Sequence, residues 1–462
     1  MEVKNDFSKG SIVRNILGMA VPMILAQLVN VLYNIVDRIF IGRMPENAFP
    51  SLTGVGVCLP VISIIMAFAN LFGMGGAPLC SIERGRANYR EAEKIMGNSF
   101  VMLVISGVVL TIAGLLLRRP VLYFFGASDL TFTYANQYLT IYLLGTIFVM
   151  TGLGMNHFIN AQGFGKIGMI TISLGAVVNI ILDPVFIFLF KLGVQGAALA
   201  TVISQFLSAL WVLSFLRSTK AILRLKKEHF TLCWERVKRI TALGTSGFIM
   251  HVTNSLVLIL FNATLQQFGG DLYVGIMTIL NAIREFIIMP VSGLNSGARP
   301  VMGFNYGARA YKRVKSCIKF TTSVSVLYTV IMWLLIQAFP GFFIRIFTTE
   351  AEVLETGVPL MRLFYAAFFI MALQFAGQST FLSLGFSKQA IFFSTLRKVI
   401  LVAPLVVILP RLWGLGVSGV FLSEPISEVI GGIACYVTML LTVWKELTNG
   451  ELAPEATPQT TP

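Results

Sequence analysis

Five acidic residues interrupt the long apolar stretches of this sequence, at positions where they can carry ion chemistry. They are Asp37, Asp183, Glu285, Glu424 and Glu428. An ionised carboxylate inside a hydrocarbon layer is costly, so such residues usually face a protein interior or a wet cavity and mark ion or proton pathways. The five positions therefore indicate a pathway for an ion or a proton.

Asp37 and Asp183 form the first candidate ion-coupling pair. Asn179 lies one helical turn before Asp183, and Pro184 directly after it frees a backbone carbonyl that can help to coordinate a cation. Two carboxylates in one low-dielectric pocket titrate as a coupled pair, and a monovalent cation can fill the same pocket. Two structural alternatives stay open: pairing of Asp37 with a neighbouring arginine at the membrane interface, and a helix-kink cap at Asp183.

The second half of the chain carries a different set of charges inside its apolar stretches. Arg284 and Glu285 are adjacent, Arg397 follows in a later stretch, and Glu424 and Glu428 lie one helical turn apart. These residues can neutralise one another between helices, or they can contact a transported molecule. The sequence leaves both alternatives open.

The elements that hold these residues are membrane helices. Of the 462 residues, 56% are hydrophobic and 12% are charged, against roughly 25% charged in an average soluble protein. This composition, with a mean hydropathy of +0.80, excludes a soluble globular protein and a disordered chain. The apolar runs predict an all-α polytopic membrane protein with twelve transmembrane helices, at 12–41, 52–79, 95–117, 133–160, 167–190, 195–216, 240–268, 272–302, 318–339, 357–383, 390–410 and 414–443.

The distribution of basic residues predicts the orientation. An even number of spans places both termini on one side, and the loops of that side carry most of the Lys and Arg residues. The positive-inside rule therefore predicts cytoplasmic termini in a multi-pass protein of the plasma membrane. The formal charge of +14 then follows from this topology and from attraction to the anionic lipid bilayer, so no nucleic-acid partner is expected.

The remaining composition indicates no bound cofactor and no metal site. The five cysteines and three histidines are scattered along the chain, without a C-x-x-C pair or a cluster of metal-ligating residues. Without such a cluster, or a nucleophile and base at one membrane face, the sequence predicts that the protein is not an enzyme. The Pro- and Thr-containing residues 446–462 read as a disordered cytoplasmic tail.

An internal repeat divides the chain into two halves. Four residues in the loop region after the second span recur 222 residues later, as Gly75, Pro78, Gly85 and Tyr89 and then as Gly297, Pro300, Gly307 and Tyr311. Six spans per repeat give both halves the same orientation, which is a transporter architecture with a central cavity between the halves. We therefore predict an N-lobe at 1–217, a basic linker at 218–239 and a C-lobe at 240–445. Near the end of each half the offset becomes 223, which aligns residues 192–199 with 415–422, and at this offset Glu424 and Glu428 take the places of Thr201 and Gln205.

The sequence resembles the MATE (multidrug and toxic compound extrusion) transporters over essentially its whole length. The resemblance rests on Pro22 with Asp37-x-x-Phe40-Ile41-Gly42, on Gly85-Arg86-Ala87-Asn88, on Gln162-Gly163-x-Gly165-Lys166, on Asn179-Ile-Ile-Leu-Asp183-Pro184, and on Pro300-x-x-Gly303-x-Asn305-Tyr306-Gly307-Ala308. It implies export of small lipophilic cationic drugs or dyes in exchange for H⁺ or Na⁺ by alternating access. The ion-coupling residues that it implies are Asp37, Asn156, Asn179, Asp183 and Thr201, with Na⁺, if Na⁺ is the ion, at Asp37, Asn179 and Asp183.

The resemblance has one departure. Other family members carry a cation-linked Glu in span 7 and Asp in span 10, whereas the corresponding residues here are Asn254 and Gln378. This weakens the case for a C-lobe coupling site and leaves Asn254, Arg284, Glu285, Gln378, Arg397, Glu424 and Glu428 as candidate polar or substrate residues of the C-lobe.

Several other functions compete with multidrug export. A flippase for lipid-linked oligosaccharides from the same superfamily should line its cavity with several Arg or Lys residues. A major-facilitator carrier also has two halves of one orientation, but the motifs at 179–184 and 305–308 argue against it. A membrane enzyme and a sensor with a transporter fold are the remaining classes. Because each pair of lobes makes a complete pathway, we expect a monomer.

Overall fold

The computed structural model describes residues 5–44, 48–412 and 414–452. Within these residues the chain is almost entirely helical and contains no strand. The first half contains α1 (Ile12–Gly42), α2 (Ala48–Gly85), α3 (Tyr89–Phe124), α4 (Asp129–Leu144), α5 (Thr146–Ala161), α6 (Gly165–Pro184) and α7 (Gly193–Arg217). The second half contains α8 (Trp234–Gly269), α9 (Asp271–Gly307), α10 (Tyr311–Ala338), α11 (Pro340–Arg345), α12 (Ala351–Phe364), α13 (Met371–Leu384), α14 (Ser387–Thr395), α15 (Ala403–Ile408), α16 (Gly416–Met439) and α17 (Lys445–Leu452).

These helices supply the twelve predicted spans. Ten continuous helical stretches are long and apolar enough to cross a membrane, and two bent pairs complete the set. The pair α4 and α5 bends by 56°, and the pair α12 and α13 bends by 42°. We refer to α1–α7 as the N-lobe and to α8–α16 as the C-lobe, so that a bent pair forms the fourth span of each lobe.

Three spans in the described part of the chain contain a π-helical turn, and two of these turns lie next to candidate site residues. The turn Val185–Leu189 follows α6 directly after Asp183 and Pro184, and the turn Leu396–Val402 connects α14 to α15. A proline has no N–H for the helix ladder, and π turns inside α-helices occur frequently at functional sites. Both turns re-aim side chains within a span.

Backbone geometry repeats with the sequence offset. Ala87 and Arg309, which are 222 residues apart, both have left-handed backbone, with φ of 59° and 57°. Gly163 and Gly385, at the same separation, have φ of 88° and 84°. Non-glycine residues rarely adopt this conformation, so its recurrence at the offset of the sequence repeat supports an internal duplication.

The lobes meet through small residues. A side-chain carbon on Gly85 of α2 would collide with the carbonyl oxygen of Phe304 in α9, and one on Gly307 would collide with the carbonyl oxygen of Ile82. Gly85 and Gly307 are equivalent in the repeat, so the two contacts mirror each other. The ends of α2 and α9 therefore cross in backbone contact, which closes the lobes on this side.

The N-terminal segment, residues 5–10, lies across this crossing. Arg84 of α2 donates to the carbonyl oxygen of Asn5, while Asn305 of α9 and Arg313 of α10 donate to that of Phe7 at 3.2 and 2.9 Å. The Phe7 ring packs against Phe304 with a centroid distance of 5.9 Å. Residues 5–10 thus tie the N-lobe to the C-lobe on the side of the basic loops, which we call the basic side.

The linker is more ordered than its basic composition suggests. Its end belongs to α8, which begins at Trp234 rather than at the predicted residue 240. The amides of Leu223 and Arg224 donate to Gln162 and Glu93 of the N-lobe at 2.7 and 2.9 Å. The linker therefore packs onto the N-lobe.

The prediction of disorder was wrong for the start of the tail. Residues up to Leu452 form α17, and the Tyr306 hydroxyl donates to Glu446 at 2.8 Å. A short polar helix can be stabilised by such contacts without an apolar run, which is why hydropathy did not reveal it. Residues 453–462 lie outside the described part of the chain.

Candidate ion and substrate sites

Asp37, Asn179, Asp183 and Thr201 come together inside the N-lobe, as predicted from the sequence. Asp183 and Asn179 are fully buried, and Asp37 is 8% exposed. The Asn179 amide lies 3.4 Å from Asp183 Oδ1 and 3.4 Å from Thr201 Oγ1. The carboxyl groups of Asp37 and Asp183 are within hydrogen-bonding reach of each other. Helices α1, α6 and α7 therefore build one polar site.

Tyr33 is a member of this site that the sequence analysis did not name. Its hydroxyl group lies near the side chain of Thr201. Tyr33 precedes Asp37 by four residues, and side chains at that spacing share a helix face. The spacing was therefore the signal that could have identified it.

The carboxylates of the site have no basic partner among the described residues. Neither Asp37 nor Asp183 forms an ion pair in that part of the chain, and Arg38 and Arg43 are exposed. The interfacial pairing considered for Asp37 is therefore not formed. Within the described residues, Asp37 Oδ1 and Asp183 Oδ2 have no hydrogen-bond partner, so they are acceptor oxygens that a proton or a monovalent cation can use.

Asn156 does not join this site. Its amide donates to the carbonyl oxygen of Gly168 at 3.3 Å. Gly168 precedes Asn179 by eleven residues on α6, which corresponds to about 16 Å along the helix axis at 1.5 Å per residue. The structure thus places Asn156 at another depth, and its predicted role as an ion ligand is not supported by this arrangement.

Asn156 instead lines a cavity between the two lobes, which we call the interlobe cavity. Its volume is about 370 Å³, within the range of small-molecule sites. Arg299 of α9 is the one charged residue among its described lining residues, and its Nε lies 3.4 Å from Ser379 Oγ. The apolar wall is formed by Met23, Met74, Leu153, Met169, Ile172, Met250 and Phe375.

A second cavity, of about 440 Å³, lies within the C-lobe, and we call it the C-lobe cavity. Four of the predicted charged residues form a buried ion-pair network beside it. Arg284 contacts Glu424 and Glu428 at 2.5 and 2.6 Å, and Arg397 contacts the same two carboxylates at 2.7 and 3.3 Å. The alternative of mutual neutralisation is therefore realised in the structure.

Lys398, which lies inside the predicted span 390–410, also belongs to this network. Its ammonium group lies 3.5 Å from Glu424 Oε1. The π-helical turn Leu396–Val402 brings Arg397 and Lys398, consecutive in sequence, to the same cavity.

The other three C-lobe candidates all line the C-lobe cavity, and one of them also joins helices. Gln378 donates at 2.8 Å to Ser246 Oγ, to Ser394 Oγ and to the carbonyl oxygen of Ala390, so it joins α13 to α8 and α14. Asn254 and Glu285 line the C-lobe cavity. Glu285 is exposed and forms no ion pair within the described residues.

A comparison with protein-family models decides which family this fold and these sites belong to. The model named MatE matches residues 22–185 and 248–408, which contain every named residue of the N-lobe site except Thr201. The chain belongs to the MatE family. It is accordingly a membrane transporter and not an enzyme.

Curated relatives of this MatE transporter align over nearly its whole length. The chain is 27% identical over 428 residues, 92% of each chain, to the multidrug export protein MepA of Staphylococcus haemolyticus. It is also 27% identical over 439 residues to MepA of Staphylococcus aureus strain N315, covering 94% of this chain and 95% of that one.

Solved structures share the fold at lower identity. A structure described as MATE in the bent conformation matches with a TM-score of 0.90 at 21% identity, over 97% of this chain and 99% of that chain. The outward-facing conformation of a multidrug resistance MATE family transporter of the MOP superfamily matches with a TM-score of 0.87 at 20% identity, over 97% and 98% of the two chains. The MatE transporter thus has the predicted all-α polytopic architecture.

Proposed function

We propose that this MatE transporter is a secondary active multidrug antiporter, which exports lipophilic organic cations in exchange for H⁺ or Na⁺. The observation that carries the proposal is the contact between two buried carboxylates, Asp37 and Asp183, without a basic partner among the described residues. Two ionised carboxylates repel each other strongly in a low-dielectric site, so the pair favours uptake of a proton or a monovalent cation.

The position of Asp37 on α1 can couple ion uptake to a movement of the two lobes. Helix α1 packs against α6 within the N-lobe and against α9 in the C-lobe. An ion that joins Asp37 on α1 to Asp183 on α6 changes the forces on a helix that both lobes contact. We infer that ion binding and release bias the two arrangements of the lobes in alternating access.

The interlobe cavity supports the cargo class. Methionine side chains are flexible and polarizable, so they adapt to ligands of different shape, and four of them line this cavity with Phe375. Two relatives named multidrug export proteins also support this class of cargo. We place the protein as a monomer in the plasma membrane with cytoplasmic termini, since one chain contains both lobes.

The flippase alternative finds less support. A cavity for lipid-linked pyrophosphate needs several cations to balance the phosphate charges. Among the described residues that line the interlobe cavity, Arg299 is the one cation.

Uptake of ethidium into proteoliposomes tests the proposal. An imposed pH gradient and an imposed Na⁺ gradient are compared, each for the unchanged chain and for Asp183→Asn. We expect accumulation to follow one of the two gradients and to vanish in Asp183→Asn, because the variant removes one charge of the pair and keeps the side-chain shape.

Asp271→Asn is the matched control, since Asp271 is exposed at the start of α9, and it should accumulate ethidium like the unchanged chain. Full accumulation in Asp183→Asn would contradict the N-lobe coupling site. Accumulation under neither gradient would contradict antiport of cations, and lipid-linked substrates would be tested next.

A further inference from the structure

The buried charges beside the C-lobe cavity do not balance. Arg284, Arg397 and Lys398 supply three positive charges, whereas Glu424 and Glu428 supply two negative ones. The side chains of Arg284, Arg397 and Lys398 are 12%, 8% and 17% exposed, and those of the two glutamates are each 1% exposed. Burying a charge without a counter-charge is costly, so the network has room for one more anion.

The arrangement of donors places that anion beside Arg397 and Lys398. Arg397 contacts both carboxylates through Nη2 alone, and its buried Nε has no hydrogen-bond partner in the described part of the chain. Among the described residues, Lys398 has one polar contact, of 3.5 Å to Glu424. Both side chains line the cavity. An oxyanion in the cavity would therefore find an unused guanidinium N–H and an under-used ammonium group next to each other.

The rest of the cavity suits the apolar part of such a ligand. Phe261, Phe364 and Phe375 are among its lining residues, and about 440 Å³ is enough for a small aromatic molecule. Glu285 also lines the cavity, but its side chain is exposed, so water screens its charge more than the charges of the buried network.

We propose that the C-lobe cavity is a second binding site, which takes a small amphipathic molecule with a single oxyanion, such as an aromatic carboxylate, on Arg397 and Lys398. The inference rests on the proposed export function in treating this ligand as cargo. It extends the cargo to molecules with a carboxylate group and assigns their recognition to the C-lobe.

Binding of naphthalene-2-carboxylate to the purified full-length protein in detergent tests this site. Equilibrium dialysis measures the bound probe, and naphthalen-2-ylmethylammonium, of similar size and opposite charge, is the comparison ligand. We expect saturable binding of the carboxylate, about tenfold or more tighter than that of the ammonium compound, because a buried charge pair discriminates by that much.

Three variants locate the site. Lys398→Gln leaves two cations against two carboxylates and should weaken carboxylate binding about tenfold or more, while Lys398→Arg keeps the charge and should retain most of it. Lys388→Gln removes an exposed lysine of α14 and should bind like the unchanged chain. The unfolding midpoint of each variant is measured alongside, and if Lys398→Gln is unfolded, Lys398→Met replaces it.

The inference would be overturned by equal binding of the two naphthalene compounds, or by undiminished carboxylate binding in a folded variant without a charge at position 398. Absence of saturable carboxylate binding would overturn it as well. Because binding is measured without an ion gradient, a chain that binds the carboxylate but accumulates no ethidium contradicts the proposed function alone. A chain that accumulates ethidium but does not bind the carboxylate contradicts this inference alone.

Discussion

Asp37 and Asp183 lie among neutral hydroxyl and amide groups, whereas Glu424 and Glu428 lie among two guanidinium groups and an ammonium group. Glu424 contacts all three cations and Glu428 contacts two of them, and these ion pairs join helices of the C-lobe. In the proposed mechanism, the two neighbouring carboxylates of the N-lobe, with no cation in contact, change their charge by binding an ion. We therefore propose that the two lobes use buried acids for different purposes, in line with the repeat position of Glu424 opposite Thr201.

Replacement of Tyr33 by phenylalanine tests the hydroxyl contact in the N-lobe site. Tyr33→Phe removes the hydroxyl group near Thr201 but leaves both carboxylates, so we expect a partial loss, with the initial rate of ethidium uptake reduced roughly fivefold. Tyr123→Phe, which changes an exposed tyrosine, is the control. A rate equal to that of the unchanged chain would mean that the hydroxyl group plays no part in coupling.

Arg299 should oppose the binding of cationic cargo in the interlobe cavity. Arg299→Gln removes a like charge from the cavity wall, so we expect the KM for ethidium uptake to fall roughly fivefold, as about 1 kcal/mol of repulsion is lifted. Arg345→Gln, at an exposed site outside this cavity, should leave the KM unchanged. An unaltered KM in Arg299→Gln would place the cargo elsewhere.

Two features of the helices affect the sites and the lobe contact. The π turns change the direction of charged side chains within a span, and the glycines allow α2 and α9 to cross in backbone contact. The α2–α9 crossing leaves no space for a side chain at Gly307, because a methyl group there would collide with the carbonyl oxygen of Ile82. The packing of α2 against α9 therefore determines how closely the lobes approach each other on the basic side.

Gly307→Ala should open the basic side. The added carbon pushes α9 away from α2, which disfavours the closed arrangement and raises the population with separated lobes. Spin labels on the exposed residues Arg90 and Lys312, in a Cys233→Ser background, report the distance by double electron–electron resonance. Gly341→Ala, where the nearest atom is an ordinary 3.7 Å away, is the control, and an unchanged distance distribution in Gly307→Ala would refute the predicted opening.

Sequence patterns identified the spans because the bilayer thickness fixes the length of an apolar helix. They also identified Asp37 and Asp183, since charge inside an apolar run is conspicuous. Sequence patterns did not predict side-chain positions that depend on contacts between helices. The depth of Asn156 depends on how α5 packs against α6, and the inward position of Lys398 depends on a π turn that hydropathy does not reveal.

At the scale of the whole molecule, the lobes are joined on the basic side by the α2–α9 crossing and by residues 5–10. Phe7 is 5% exposed, and the Arg84 guanidinium lies over both its ring and that of Phe304, 5.3 and 4.8 Å from the two centroids. Separation of the lobes exposes this ring to water, so its burial stabilises the closed arrangement.

Phe7→Ala should therefore shift the population of the two arrangements. Loss of a buried phenylalanine costs about 3 kcal/mol, enough for a shift of more than tenfold towards separated lobes. The same spin labels at Arg90 and Lys312 measure it. Phe339→Ala removes a ring that is 62% exposed and serves as the control, and a population in Phe7→Ala like that of the unchanged chain would show that residues 5–10 do not restrain the lobes.

The packing of the linker determines where the moving parts can pivot. The Asn98 side chain of α3 binds the carbonyl oxygen of Thr231 and the amide of Cys233 at 3.0 and 2.9 Å, and Arg236 in the first turn of α8 forms a double contact with Glu91 at 2.7 and 2.9 Å. The beginning of α8 is thus fastened to α3 even though it belongs to the other lobe. A rocking motion that keeps these bonds pivots about the contact between α3 and the start of α8. The separation between the lobes that this motion produces therefore increases with distance from α3.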